Sequence, residues 1–145
     1  MDIRVTGTVR APPAKVFAYV ADLANWPAWQ SDMKQAELVS GSRGQPGARY
    51  HYVSKAMGMT FDSTVDIVRV ESGRSVTFEG PWVGMIRPRG TYTVEPAPEG
   101  SKVTLNPHPE MRGLGKLLAG LMGGKMTKMN EEHLAGLRKA VEPPA

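Results

Sequence analysis

The feature that most constrains this chain is a change of hydrophobic period after residue 107. Between Met33 and Pro107, apolar and polar residues alternate in short runs. Tyr50 shares a face with Tyr52, as do Phe61, Ser63, Val65 and Ile67; Val76 with Phe78, Tyr92 with Val94 and Val103 with Leu105 repeat the pattern. Period two places successive side chains on opposite faces of a strand. Turn signals separate the runs at Ser40–Gly44, Gly58, Ser72-Gly73-Arg74, Gly80-Pro81 and Pro96–Gly100. Consecutive strands joined by short turns predict an antiparallel meander. Beyond Asn106-Pro107-His108-Pro109 the apolar positions become Leu114, Leu117, Leu118, Leu121, Met122, Met126, Met129, Leu134, Leu137 and Val141. That spacing predicts one helix of about 25–30 residues with a wide apolar stripe, leaving Lys116, Lys125, Lys128, Glu131, Arg138 and Lys139 for its other side. A sheet with one wet face and one long amphipathic helix bury each other when the sheet curls around the helix.

The N-terminal end completes the pattern. Ile3, Val5, Gly7 and Val9 alternate with polar residues and predict a first strand, giving about seven in all. Ala11-Pro12-Pro13 stops it, and Val16, Phe17, Tyr19 and Val20 recur at helical spacing. Asn25-Trp26-Pro27-Ala28-Trp29 then breaks that helix, with room for a second short helical turn. The fold class is α+β. At 145 residues the chain is the size of one domain, expected to span 1–145.

That element order resembles the helix-grip fold of the START-like (SRPBCC) superfamily, and in particular its polyketide cyclase/dehydrase and lipid-transport-like branch. The resemblance covers nearly the whole chain. It is carried by Ala11-Pro12-Pro13-Ala14-Lys15-Val16-Phe17 and by Asp22-Leu23-Ala24-Asn25-Trp26-Pro27-Ala28-Trp29, which match that branch's "a-P-x-x-V-F" and "L-x-x-W-P-x-W" segments. Those residues lock helices against the sheet, so the motif speaks for the fold more than for function. The resemblance implies a deep cavity between the curved sheet and the C-terminal helix. Members bind lipids, polyketides, quinones, hormones or other apolar molecules, and a few catalyse cyclisation or dehydration; fold alone does not choose among these.

Candidate cavity residues follow from strand phase. If the apolar strand faces point inward, Tyr50, Tyr52, Phe61, Ser63, Phe78 and Tyr92 face the helix, and a buried hydroxyl there seeks backbone, water or a ligand oxygen. A few polar groups in an apolar cavity suit a small-molecule site. Trp82, in the Gly80–Gly84 turn, is a candidate lid, and His108 is the one histidine placed to overlook a cavity mouth. Leu118, Met122 and Met126 come from the helix, and Met57, Met59 and Met85 from strand ends and loops. The chain has nine methionines, whose flexible thioethers suit an adaptable pocket. Gly113, Gly115, Gly120, Gly123 and Gly124 either leave room for a ligand or form a loop before the helix. Trp26 and Trp29 are read as structural.

Enzyme signatures are absent from the sequence. Asp62 and Asp66 are about 13 Å apart along a strand, on the face opposite Phe61, beyond the about 5–9.5 Å of a carboxylate acid–base pair. His51 falls out of phase with Tyr50 and Tyr52, and His133, after Glu131-Glu132, reads as a solvated helix residue. No histidine sits in a metal motif, Gly113-Leu114-Gly115 lacks the third glycine of a dinucleotide loop, and Gly124-Lys125 is followed by Met126, not Ser or Thr. A tyrosine, Arg87 or Arg89 acting on a polyketide carbonyl is the remaining catalytic option. No catalytic residue, metal or cofactor is therefore expected.

The absence of cysteine excludes disulfides and thiolate sites. No stretch approaches a membrane span, and the N-terminus lacks a secretory h-region, so a cytoplasmic location is expected. The formal charge of +4 is scattered except from Arg112 to Lys139, which argues against a nucleic-acid partner. The expected role is binding or transport of a hydrophobic small molecule or lipid. A cyclase or dehydratase using the same cavity is the alternative. The second alternative is a membrane-surface or interaction module, in which the basic Leu/Met-rich segment 113–129 makes transient contact with lipid or a partner. The oligomeric state is open.

Overall fold

The computed structural model describes residues 2–56 and 58–144. Its elements follow the order β1 (Val5–Val9), α1 (Pro13–Ala21), a 3₁₀ turn (Leu23–Asn25), α2 (Trp26–Trp29), β2 (Met33–Ser40), β3 (Arg49–Ala56), β4 (Met59–Glu71), β5 (Ser75–Glu79), β6 (Ile86–Arg87), β7 (Arg89–Ala97), β8 (Gly100–Pro107), β9 (Glu110–Met111) and α3 (Leu114–Val141). Seven strands form one antiparallel sheet in the order β1-β8-β7-β5-β4-β3-β2. The first strand thus joins the last long one, and the meander lies between them. This is the expected helix-grip arrangement. Met57 lies outside the described residues.

Strand phase puts Tyr50 and Tyr52, Val65 and Ile67, Val76 and Phe78, Tyr92 and Val94, and Val103 and Leu105 into one apolar core. A register irregularity in β4 comes only after Ile67, so the inward phase holds from Phe61 to Ile67 and resumes at Val70, which pairs with Val76, while Val68 is exposed. Pro13 opens α1, whose Val16 and Val20 are fully buried against the sheet. The side chain of Asp22 accepts from the backbone N–H of Ala24 and so starts the 3₁₀ turn.

Helix α3 packs against α2 through glycine. A Cβ at Gly136 would collide with the carbonyl oxygen of Trp29, so only glycine lets α3 cross α2 this closely. Leu134, Leu137 and Val141 bury that C-terminal half. The N-terminal half is different: Leu118, Met122, Met126 and Met129 face a space that the sheet does not fill.

Two short strands were not anticipated. β6 and β9 pair through Ile86 with Met111 and Arg87 with Glu110. Arg87 and Arg89 each bridge Glu79 and Glu110 at 2.9–3.2 Å, tying this ribbon to β5 and β7. The ribbon leads into Gly113, whose φ of 60° turns the chain into α3.

Candidate functional site

The space beside the N-terminal half of α3 is a cavity of about 640 Å³. Its walls come from β3, β4, β5 and β7, from the α2–β2 connection, from residues 83–86 before and within β6, and from α3. The lining is mainly apolar. Tyr52, Phe61, Phe78, Met85, Tyr92, Leu118, Met122 and Met126, eight of the anticipated residues, line it. Met59 and Met129 line it too.

Four anticipated residues do not, each for a local reason. Tyr50 has the right phase but sits too far along β3: its hydroxyl donates to Asp22 Oδ1 (3.1 Å) and accepts from the Gly44 N–H (3.0 Å), pinning the β2–β3 loop. Ser63 lies on the inner face, paired with Tyr52, yet away from the cavity wall. Trp82 is turned outward, with the Arg112 guanidinium 4.5 Å from its ring centroid, while its neighbours Val83 to Ile86 form the wall. His108 points to the outer face, where Nε2 meets Thr91 Oγ1 at 3.2 Å, and the flanking Pro107 and Pro109 line the cavity instead.

One end of the cavity is polar: Tyr52 and Tyr92, anticipated there, are joined by Gln30, Asp32 and Asn130 and by Trp26 and His133, whose sequence pattern pointed to other roles. Trp26 stands edge-on to Tyr52 and Phe78, at 5.9 and 5.3 Å between ring centroids. Its indole N–H donates to the Tyr92 hydroxyl oxygen at 3.1 Å, and Gln30 Nε2 donates to the same oxygen at 2.9 Å. Burial raises the Tyr92 hydroxyl well above the ordinary tyrosine range, with the nearby Asp32 charge adding to it. Burial alone pushes Tyr52 up to about 12. Both side chains are therefore neutral at ordinary pH.

His133 is not a solvated residue. It is buried on the cavity side of α3, and its Nε2 lies 2.5 Å from Asp32 Oδ1. The spacing Met126, Met129, His133 would have shown this, since all three share one helical face. Asn130, on the same wall, donates both amide hydrogens to the carbonyls of Ile3 and Leu105. An Asp–His pair in an apolar wall can hold or relay a proton to a bound molecule. Arg89 lines the cavity, but its guanidinium is engaged by Glu79 and Glu110. Outside the cavity, Asp62 pairs with His51 and Asp66 with Arg49 on the outer face, as their phase requires.

The glycines of α3 resolve in part. Gly113 caps the helix, and Gly115 lies inside it, where a Cβ would come within 3.1 Å of Met85. Gly120 and Gly124 are exposed and outside the cavity lining, and a Cβ at either would meet nothing within 4 Å. The apolar stripe also splits: Leu118, itself 43% exposed, and Met122 line the cavity, whereas Leu114, Leu117 and Leu121 are more exposed and do not.

The family model described as polyketide cyclase / dehydrase and lipid transport matches residues 1–142. The chain belongs to that family. No functionally curated protein matches it. Among solved structures, a protein from Thermus thermophilus is 25% identical, with a TM-score of 0.79 over 96% of this chain and 95% of that one. The STAR-related lipid transfer protein from Xanthomonas axonopodis is 16% identical, with a TM-score of 0.73 over 97% of this chain and 85% of that one. The di-domain ARO/CYC of the steffimycin biosynthetic pathway is 11% identical, with a TM-score of 0.76 over 97% of this chain and 50% of that one. Membership and fold together give a hydrophobic-ligand-binding scaffold. Among the described residues no helix is long and apolar enough to cross a membrane, and no group of three or more His, Asp or Glu side chains is placed to hold a metal ion.

Proposed function

We propose that this protein binds a hydrophobic small molecule, of lipid, polyketide or quinone type, in the cavity between the sheet and α3. The observation that carries this reading is the cavity itself. Its volume of about 640 Å³ falls within the roughly 300–1,000 Å³ usual for small-molecule sites. A core built only for stability closes such a space, because empty apolar volume forfeits dispersion contacts. Here three methionines of α3, Met122, Met126 and Met129, border it with side chains that can adapt to different shapes. Native mass spectrometry of the purified protein, followed by extraction, tests the reading. A near-stoichiometric apolar molecule supports it. A protein that carries nothing and ignores a panel of apolar probes sinks it.

The Asp32–His133 pair favours a second reading, a cyclase or dehydratase acting in the same cavity. Its location in the wall gives a bound carbonyl compound a proton donor or acceptor without solvent. A time course with the extracted molecule separates the two: a carrier returns it unchanged, and an enzyme loses turnover when His133→Ala removes the pair.

A further inference from the structure

The Tyr92 hydroxyl oxygen accepts from Trp26 Nε1 and from Gln30 Nε2. An indole N–H and an amide NH₂ can only donate. Both lone pairs of the phenol are thereby engaged, and its own hydrogen is committed to neither neighbour. Among the described residues no acceptor receives it. Tyr92 is buried and lines the cavity, so the uncommitted O–H belongs to the cavity wall. Left without an acceptor, a buried hydroxyl keeps its desolvation cost. We propose that the Tyr92 hydroxyl donates a hydrogen bond to an acceptor oxygen of the bound molecule, so that ligands lie with a carbonyl or ether-type oxygen at the Trp26–Gln30 end. This rests on the ligand-binding reading above. It selects against a pure hydrocarbon of the same shape, which leaves the donor orphaned.

The test is a pair of probes of matched size, acetylnaphthalene and ethylnaphthalene, with wild type and Tyr92→Phe. Tyr92→Phe is expected to weaken acetylnaphthalene about tenfold while moving ethylnaphthalene by less than about twofold. In wild type, the infrared carbonyl band of bound acetylnaphthalene is expected below its position in a hydrocarbon solvent. That second readout stands even where the variant fails to fold. Equal losses for both probes, or a carbonyl band at the hydrocarbon position, overturn the proposal while leaving the cavity reading intact. Binding of neither probe overturns both.

The outer side of α3 carries an independent feature. Leu114, Leu117 and Leu121 are 68%, 72% and 79% exposed. Spacings of three and four put them on one stripe, and Lys125 and Lys128 continue it. From Arg112 to Asn130 there are four cationic residues and no acidic ones. Leu118, one position from Leu117, lines the cavity. We infer that this stripe docks on an anionic lipid bilayer, with the leucines entering the acyl boundary and the lysines meeting the headgroups.

Co-sedimentation with phosphatidylcholine vesicles, with and without phosphatidylglycerol, is the test. The protein is expected to favour the anionic vesicles, the double variant Leu117→Ser/Leu121→Ser to lose about tenfold or more in binding, and Lys125→Glu/Lys128→Glu to lose the anionic preference. All four side chains are exposed, so folding is unaffected. Unchanged binding by the leucine variant overturns the inference. So does a wild-type dimer that the leucine variant dissolves, in a protein that ignores vesicles; the stripe is then a contact between two copies.

Discussion

Gly90 lies directly across β5 and β7 from Phe78, and a Cβ at Gly90 would stand 2.5 Å from the ring Cζ. The missing side chain is the floor on which the Phe78 ring rests, and that ring in turn forms cavity wall beside Trp26 and Tyr92. Gly90→Ala is expected to push the ring into the cavity. Overpacking of this kind costs about 1–3 kcal/mol. Urea unfolding reads the loss of stability, and a large apolar probe is expected to bind more weakly to the variant than a small one. A variant as stable as wild type and unchanged in binding would show that the ring has room elsewhere.

The contrast between Tyr50 and Tyr52 explains what could be read in advance. Period-two phase decides which face a side chain occupies, and both tyrosines face inward as read. Phase carries nothing about distance along the strand. Two residues earlier in β3, the inner face passes from the cavity to the packed loop held by Asp22, so Tyr52 lines the cavity and Tyr50 does not. On α3 the apolar stripe is wider than the arc the sheet can cover, and hydrophobicity alone could not divide Leu118 from Leu117. His133 was obscured by its neighbours Glu131 and Glu132, although its helical phase matched Met126 and Met129. The β6–β9 ribbon has two residues per strand, too few to show any period. The fold followed from periodicity; the polar end of the cavity depended on tertiary positions that periodicity does not encode.

The crossing of α3 over α2 is equally specific. At Gly136 the obstacle is the Trp29 backbone carbonyl, which cannot rotate out of the way as a side chain could. Gly136→Ala is expected to destabilise the protein at the upper end of about 1–3 kcal/mol, although alanine is the better helix former. Thermal unfolding of Gly136→Ala against the exposed control Gly124→Ala, where a Cβ meets nothing within 4 Å, isolates the steric cost. The control is expected to match or exceed wild type.

Asp32 lies in the turn just before β2 and His133 in the C-terminal half of α3, and each is mostly shielded from solvent, at 15% and 11% exposure. Their hydrogen bond joins helix to sheet at the polar end of the cavity. Removing either partner strands the other in a poor environment, so the single losses should overlap. A double-mutant cycle with Asp32→Ala and His133→Ala is expected to give a coupling of about 0.5–3 kcal/mol. Additive losses would mean that the two side chains are held independently.

His51, on the outer face, gives a pH signature with a definite sign. Its Nε2 lies 2.6 Å from Asp62 Oδ1 and its Nδ1 3.4 Å from Glu37 Oε1. The hydrogen bond to Asp62 is the main cause that raises its pKa above the ordinary 6.5; partial burial opposes this, and the Asp62 charge and Glu37 add to it. The fold therefore favours the imidazolium more than the unfolded chain does. A raised folded pKa contributes stability that is complete below 6.5 and is lost as pH rises through the folded value. Wild type should exceed Asp62→Asn in urea midpoint on the acid side of that value, and the margin should close on the alkaline side. The His51 ring resonances should titrate with a midpoint above 6.5 in wild type and move down in the variant. A margin that widens with rising pH would reverse the sign and refute the assignment.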